Sequence, residues 1–261
     1  MCTFQKISSS TYCADSLQNH LRGLSAFASR GNLLLTNINI ITKNSLFFQS
    51  IDFEAADEIK AVDLDIPFKV CNRMLGIASC NGLLCSSIES EGLVIWNPLI
   101  GRYTRISNRP SDHCNKLGFW YDHSTHNFKI VKFVRSVDDN EIPIRARYSV
   151  EIYSQNSNSW QPQEEILPRQ HDYGIASLFG VLVNETLYWK LFYVNDDRKL
   201  FSAVLCFDTL NEKFDVILLP NNVLDYELVA FKGHLCLVEY HRTGYINMWT
   251  REVGKNQNWI K

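Results

Sequence analysis

The 261-residue sequence has no long apolar run and no block of like charge. A membrane-spanning helix needs about 20 consecutive apolar residues, and the first 25 residues also lack the continuous apolar core of a signal peptide. The 26 Lys and Arg residues nearly balance the 28 Asp and Glu residues, which gives a net charge of -2. This balance argues against electrostatic binding to nucleic acid or to an anionic membrane. We therefore expect a soluble protein of the cytoplasm and/or the nucleus.

The eight cysteines include no Cys-x-x-Cys pair. Cys206 and Cys236 lie inside apolar segments, where a thiol behaves as a small hydrophobic residue. The nearest approach to metal-ligand spacing is His123 with His126, and no second pair lies at the distance that a zinc site requires. The cysteines are therefore predicted to be reduced and structural, and we expect neither a metal nor a cofactor.

Recognised catalytic motifs are missing as well. The sequence has no Gly-x-Ser-x-Gly elbow, no phosphate-binding glycine loop and no His-Glu-x-x-His motif. Paired carboxylates such as Glu164 with Glu165 lie among turn formers, and adjacent residues of a strand point to opposite faces. We expect no enzymatic activity.

Short apolar stretches rich in β-branched and aromatic residues occur almost throughout, bounded by Asn, Gly, Asp or Pro. The segment from Phe128 to Val134 is one example. Only the segment from Asp15 to Ala28 has the three- and four-residue apolar spacing of a helix. The sequence therefore predicts a mainly β protein with a short N-terminal helix.

One pattern recurs four times: an aromatic residue, then Asn, Asp or Ser, then five residues and a second aromatic residue. It is typical of a hairpin, because the polar side chain can bond the backbone of the turn and the two aromatic rings can pack across the strands. The aromatic pairs are Trp96 with Tyr103, Tyr121 with Phe128, Tyr153 with Trp160, and Phe207 with Phe214.

A second pattern, a polar or glycine turn followed by leucine and two apolar residues, begins its apolar part at Leu83, Leu187 and Leu235. These positions repeat at 104 residues, which is twice 52, and at 48 residues. A unit of about 50 residues with two hairpins is typical of a four-stranded propeller blade. We predict an all-β, kelch-like β-propeller of four to five blades, incomplete as a ring, with four blades from Ile77 to Lys261 and strand material from Leu33 to Phe53. A non-repetitive β-sandwich is the alternative.

Several ordered blocks are specific enough to compare with a known family. They are Gly76 to Cys85 with Trp96 to Tyr103, Leu117 to Asp122 with Phe128 to Val131, Val150 to Ser154 with Ser159 and Trp160, Gly180 to Asn184 with Leu187 to Trp189, Leu205 to Asp208 with Lys213 and Phe214, and Met248 and Trp249 with Trp259. Together these blocks resemble the plant F-box associated domain, the kelch-like region of F-box proteins that include the S-locus type. The resemblance divides the chain into an N-terminal preface, residues 1–32, and a β domain, residues 33–261.

Proteins of this family join an F-box, which docks on a Skp-type adaptor of a cullin ubiquitin ligase, to a propeller-like region that captures the protein to be ubiquitinated. The resemblance implies that this chain is the substrate-recognition module. Residues 1–14 are too few to contain the F-box, and Asp15 to Leu35 resembles the segment that follows it. We expect a truncated protein without the F-box, which meets a Skp-type adaptor only if an F-box is encoded upstream.

The longer connections of a propeller emerge at its faces and carry recognition. Four predicted loops mix charges with aromatic residues, the composition from which protein-binding hot spots are drawn: Arg135 to Arg147, Arg169 to Tyr173, Asn195 to Lys199, and Tyr240 to Tyr245. The candidate partner-binding residues are Asp138, Asp139, Arg145, Arg147, His171, Tyr173, Asp196, Asp197, Arg198, His241 and Arg242. We predict that these loops together bind a protein substrate. The alternatives are a β-propeller enzyme, a binder of a small ligand such as a carbohydrate, and a truncated gene product with neither function.

Overall fold

The structure, a computed structural model, describes the chain in separate segments. These are residues 28–29, 32–38, 46–52, 61–64, 74–88, 92–98, 100–106, 116–136, 147–163, 172–194, 199–219, 223, 226–240, 246–251 and 259–260. Side chains are described from residue 77 onward, except at residues 136, 147, 172, 173 and 240. Within these segments, no helix has the length and hydropathy that crossing a membrane requires. The predicted N-terminal helix lies outside the described residues apart from its last residue, Ala28, which begins the first strand.

The described strands form five antiparallel sheets, and in all but the fourth every consecutive pair of strands is hydrogen-bonded. The first sheet contains β1 (Ala28–Ser29), β2 (Asn32–Ile38), β3 (Leu46–Asp52) and β4 (Ala61–Leu64). The second contains β5 (Met74–Cys80), β6 (Leu83–Ile88), β7 (Gly92–Asn97) and β8 (Arg102–Ile106). The third contains β9 (Lys116–Asp122), β10 (Asn127–Ser136), β11 (Arg147–Ser154) and β12 (Ser159–Gln163).

The last two sheets follow the same plan with one variation. The fourth contains β13 (Asp172–Ile175), β14 (Val181–Val183), β15 (Thr186–Val194), β16 (Leu200–Asp208) and β17 (Lys213–Leu218). The fifth contains β18 (Tyr226–Phe231), β19 (His234–Tyr240), β20 (Ile246–Arg251) and β21 (Trp259–Ile260). The second to fifth sheets are the four predicted blades, and the first contains the predicted strand material.

Each predicted aromatic pair lies directly opposite across a hairpin. Trp96 pairs with Tyr103 between β7 and β8, and Tyr121 pairs with Phe128 between β9 and β10. The same holds for the pairs between β11 and β12 and between β16 and β17. Ring centroids within a pair lie 4.8 Å apart for Tyr121 and Phe128, a distance typical of attractive aromatic contacts. The periodicity in the sequence is therefore a periodicity of hairpins.

The second sequence pattern begins with tight two-residue turns. Asn81 and Gly82 connect β5 to β6 with φ values of 47° and 76°, and Lys232 and Gly233 connect β18 to β19 with φ values of 50° and 77°. Two consecutive residues with positive φ are typical of the turn whose twist matches that of a β-hairpin. The turn at residues 184–185 follows the same rule.

The second to fifth sheets pack face to face in chain order. One apolar cluster joins the second sheet to the third and includes Ile95 and Phe119. Another joins the third to the fourth and includes Phe133 and Trp189. A further cluster joins the fourth to the fifth and includes Tyr226. The first strands of these sheets are neighbours, because β5 contacts β9, β9 contacts β14 and β14 contacts β18. This is the arrangement of propeller blades, and it rules out the non-repetitive sandwich.

The first strand of the fourth sheet is interrupted. Both β13 and β14 pair with β15, and between them Phe179 forms a parallel bridge with Leu117 of β9. The Leu117 N–H donates to the carbonyl oxygen of Leu178 at 2.8 Å, and the Gly180 N–H donates to the carbonyl oxygen of Leu117 at 2.8 Å. The interruption therefore joins the third and fourth sheets through their backbones.

A buried cation lies within the third sheet. The Lys132 side chain is 1% exposed, and its Nζ lies 2.9 Å from Glu151 Oε2 on the neighbouring strand. The same Nζ lies 4.4 Å from the ring centroid of Trp160. A buried charge requires such partners, because its transfer from water into an apolar interior is costly.

The described cysteines are free thiols in the cores. Cys80, Cys85, Cys206 and Cys236 are all buried and unbridged. The pKa of Cys206 is raised to about 12, and burial of the thiol is the largest cause. The prediction of reduced, structural cysteines is thus confirmed for these four positions. The other four cysteines lie outside the described residues.

Candidate functional site

Short turns lie at one end of the second to fifth sheets, named here the turn end. It consists of residues 81–82, 98, 100–101, 123–126, 155–158, 184–185, 209–212 and 232–233. Contacts between sheets hold these turns together: Asn184 Nδ2 donates to the carbonyl oxygen of Gly233 at 2.8 Å. The Lys129 Nζ of β10 likewise lies 3.0 Å from Glu212 Oε1 in the turn of the fourth sheet. The turn ends of neighbouring sheets are therefore adjacent.

The opposite end of the sheets, named here the loop end, is where the predicted binding loops attach. Connections in a meander alternate between the two ends of a sheet, so the strand ends that flank residues 137–146, 164–171, 195–198 and 241–245 all lie at the loop end. The parallel bridge between Leu117 and Phe179 gives the first strands of the third and fourth sheets the same direction. Four segments that are far apart in sequence thus start from one end of the fold.

The individual loop residues predicted from the sequence are not described by the structure. Asp138, Asp139, Arg145, His171, Asp196, Asp197, Arg198, His241 and Arg242 lie outside the described residues. Two others were wrongly assigned to loops: Arg147 is the first residue of β11, and Tyr173 lies inside β13. The predicted first loop also begins too early, because Arg135 lies in β10, where it pairs with Tyr148. The ladders between strands extend further than the turn-forming residues indicate.

Aromatic and apolar side chains crowd the loop end of the third and fourth sheets. Tyr193 and Phe201 are opposite each other on β15 and β16, with ring centroids 5.4 Å apart and an interplanar angle of 18°. Tyr148 packs edge-on against Phe133 at 6.4 Å, and its Oη accepts a hydrogen bond from the Ile175 N–H at 3.4 Å.

Tyr148 and Tyr193 pack against the same apolar cluster between the two sheets. Leu200 follows at the start of β16 and is 51% exposed. We name Tyr148, Tyr193 and Phe201 the aromatic patch; Leu200 projects from the opposite face of β16, because adjacent residues of a strand alternate between faces. Rigid, partly exposed aromatic side chains are enriched in protein-binding surfaces.

The loop end of the fifth sheet also exposes apolar side chains. Ile246 and Met248, on one face of β20, are 62% and 45% exposed. Ile246 pairs with Tyr240 at the strand ends that flank residues 241–245. Exposed apolar side chains therefore lie at the strand ends next to two of the four predicted loops.

Sequence reasoning missed the aromatic patch, although a signal was present. Tyr193 and Phe201 flank residues 195–199 almost symmetrically, so hairpin pairing across that loop places them opposite each other. The predictions considered the loop alone and not the strand ends that support it.

At the turn end, charged side chains form ion pairs with one another. Lys129 Nζ lies 3.0 Å from both Asp122 Oδ2 and Glu212 Oε1, which links the third sheet to the fourth. Burial acts to raise the pKa of the Asp122 carboxyl. Hydrogen bonds from Ser124, Lys129 and Thr125 outweigh burial and hold that pKa well below its usual value. These carboxylates stabilise a turn and a sheet interface.

The two histidines with the nearest approach to metal-ligand spacing lie in a turn. His123 and His126 are exposed in the turn between β9 and β10, and His126 Nδ1 lies 3.3 Å from the Oη of Tyr121. Within the described segments, no group of three or more His, Cys, Asp or Glu side chains is arranged to hold a metal ion.

Solved structures share the architecture. A bifunctional GH43-CE protein of Bacteroides eggerthii superposes with a TM-score of 0.52 at 9% identity, over 90% of this chain and 33% of that chain. At this level of identity the similarity concerns the fold alone.

Relatives found by sequence are plant proteins. The chain is 23% identical to F-box protein CPR1 of Arabidopsis thaliana over 258 residues, which cover 86% of this chain and 60% of that protein. It is 30% identical to the putative F-box/kelch-repeat protein At3g17280 of the same plant over 213 residues, which cover 75% of this chain and 49% of that protein. The chain thus spans 49 to 60% of the length of these two curated relatives.

A family model supports the same assignment over most of the chain. The F-box associated beta propeller domain matches residues 35–261, which include most of the first sheet, the second to fifth sheets and the aromatic patch. The match agrees with the order of the hairpins and with the packing of the sheets as blades. The chain therefore belongs to the F-box associated β-propeller family.

Proposed function

We propose that this chain is a substrate-recognition module of an F-box ubiquitin ligase, which captures a protein at its loop end. The family match over residues 35–261 and the similarity to F-box proteins support a role of this class. The family resemblance assigns capture of the substrate to the propeller and docking on the Skp-type adaptor to the F-box. We propose that adaptor binding requires an F-box joined to this propeller, and that the module works in the cytoplasm and/or the nucleus.

One observation supports the loop end as the binding surface. The four loops with mixed charges and aromatic residues attach to one end of the sheets, and the aromatic patch lies between two of them. Tyr193 and Phe201 form a stacked ring pair that the sheet already holds in place, and Leu200, 51% exposed, projects from the other face of the same strand. Rigid side chains lose little conformational entropy on binding, so such a patch contributes more to affinity than mobile residues do.

We propose binding and not catalysis. The described carboxylates with lowered pKa are engaged in turns: Asp122 accepts hydrogen bonds from Ser124 and lies 3.0 Å from Lys129. A general acid or nucleophile needs a carboxylate aimed into a cleft, and these side chains face turn backbone or a neighbouring sheet.

The proposal is tested by quantitative pull-down from a plant extract with the full chain as bait. Replacing Arg145, Arg147 and Arg198 together by glutamine should abolish capture of the partner, while the thermal melt stays unchanged. A control replaces two exposed cations at the turn end, Lys213 and Lys232, by glutamine and should leave capture intact. Unchanged capture by the first variant, or equal loss in both variants, contradicts the assignment to the loop end.

A further inference from the structure

A groove of about 570 Å³ runs between the second and third sheets, near the turn end. One wall is formed by β7, β8 and the turn that joins them, and the other includes Tyr153 and Gln155 at the turn between β11 and β12. The groove is separate from the aromatic patch, because it lies toward the opposite end of the sheets. Ile100, 64% exposed, stands at its margin.

The floor of the groove is apolar. Ile95, Ile106 and Tyr153 line it and are 7%, 3% and 3% exposed, and all three belong to the cluster between the two sheets. A floor held by the interior of the fold is rigid, so it can accept a large apolar side chain without rearrangement of the sheets. The Tyr153 Oη is fixed by donating a hydrogen bond of 2.9 Å to Asn158 Oδ1.

The rim of the groove is polar and carries charge of one sign. Arg102 is the one charged side chain among the described residues that line the groove. It is exposed and opposes Asn97 across β7 and β8, while Thr104 opposes Ile95. Because side chains alternate along a strand, Arg102 and Thr104 share the face of Ile95 and project along the groove. An acidic ligand therefore meets a complementary charge beside an apolar floor.

The strand that carries Arg102 is also the edge strand of its sheet. β8 is last in the order of the second sheet, and four of its five residues are exposed. An exposed sheet edge accepts an extended peptide as an additional strand, whose alternate side chains then enter neighbouring pockets. In such a strand, side chains two positions apart face the groove together.

We propose that this groove binds an extended acidic peptide, which lies along β8, places an apolar side chain on the floor and pairs a carboxylate with Arg102. The inference rests on the proposed function, because it assigns a second peptide contact to the same recognition module. A captured protein that reaches both sites would be held in one orientation, since the two sites lie toward opposite ends of the sheets.

The test is fluorescence anisotropy with the full chain and a labelled seven-residue peptide, Leu-Ser-Glu-Ser-Leu-Ser-Glu, in which leucine and glutamate lie two positions apart and therefore face the groove together. We expect Arg102→Glu to weaken binding of this peptide at least tenfold. A second peptide, with lysine in place of each glutamate, should bind Arg102→Glu more tightly than it binds the unchanged protein. A third, with proline in place of the central serine, keeps the leucine and glutamate side chains and should bind weakly because proline cannot donate to a strand ladder. The melting temperature checks that the exposed substitution leaves the fold intact.

Equal affinity of the leucine–glutamate peptide for both proteins overturns the inference, and so does undiminished binding of the proline peptide. Sedimentation that shows a dimer dissociated by Arg102→Glu also overturns it, since a second copy of the chain would then occupy the groove. Capture at the loop end is measured separately by the pull-down. If the peptide does not bind but the pull-down still captures a partner, only the groove proposal is wrong. If the peptide binds but nothing is captured at the loop end, the proposed function of that end is wrong.

Discussion

The indole Nε1 of Trp189 donates a hydrogen bond of 2.9 Å to the carbonyl oxygen of Leu117, which lies 72 residues earlier in the chain. The bond joins the fourth sheet to the third, and Trp189 is fully buried. Gly118 and Gly180 lie against the same ring, so closely that a Cβ atom at either position would stand 2.6 Å from an indole carbon. Contact between these sheets therefore depends on glycine at both positions.

Substitution of Gly118 by alanine should destabilise the protein. The added methyl group would meet Trp189, Leu187 and Val131 at 2.6, 2.7 and 2.9 Å, and overpacking of this kind costs about 1 to 3 kcal/mol. Gly174→Ala is the matched control, because a Cβ atom there meets nothing within 4 Å. Chemical denaturation should show a lower midpoint for Gly118→Ala only. Equal midpoints for the two variants would contradict the described packing.

Substitution of Lys132 by methionine should be costly even though it removes a buried charge. The change leaves the Glu151 carboxylate, 19% exposed, without the ammonium group now 2.9 Å away. Loss of one partner of a buried pair costs about 3 kcal/mol, and Glu151→Gln in the same chain should restore part of it. Lys213→Met, at an exposed position, is the control and should change the free energy of unfolding by less than about 0.5 kcal/mol. A small effect of Lys132→Met would indicate that the lysine is solvated.

Acid should weaken the turn end through Asp122. Its pKa lies below the unfolded value of about 3.9, so its contribution to stability is fully present above about pH 5. The contribution is lost as the pH falls through the unfolded value towards the folded one. The free energy of unfolding, measured from pH 6 to pH 3, should fall less steeply for Asp122→Asn than for the unchanged protein. Asp208, whose pKa is also lowered, should behave alike, so the double variant should have the flattest profile. Parallel profiles would refute this role of the carboxylates.

Core thiols should resist alkylation. Burial raises the pKa of Cys80 to about 11 and that of Cys206 to about 12, and only the thiolate is reactive. Cys85 is fully buried, and burial raises its pKa too. Treatment with iodoacetamide at pH 8, followed by peptide mass spectrometry, should leave these three cysteines unmodified until denaturant is added. Rapid modification of Cys85 in the native protein would contradict its position in the core.

The hairpins could be predicted from the sequence because each depends on a short local segment. Trp96 and Tyr103, or Tyr121 and Phe128, become opposite as soon as the turn between them forms. The repetition of such hairpins then predicts the blades. Contacts between side chains that are close in sequence can therefore be predicted from the sequence.

Features that depend on how two sheets meet could not be predicted. The interruption between β13 and β14 exists because Phe179 bridges to Leu117 of another sheet, and Lys132 looks like any solvated residue of an alternating strand. The candidate site was predictable in part: the sequence indicates where strands end beside the predicted loops, but the aromatic patch depends on the strand pairing of Tyr193 with Phe201.

Site-specific photo-crosslinking tests the central claim, capture of a protein at the loop end, most directly. The photoreactive residue p-benzoylphenylalanine replaces Leu200 or Ile246 at the loop end, or Leu210 at the turn end, all of which are at least half exposed. In a plant extract, the two loop-end positions should yield the same discrete adduct, and the turn-end position should not. Joint substitution of Arg145, Arg147 and Arg198 should remove that adduct. An adduct formed from position 210 alone, or equally from all three positions, would contradict the account.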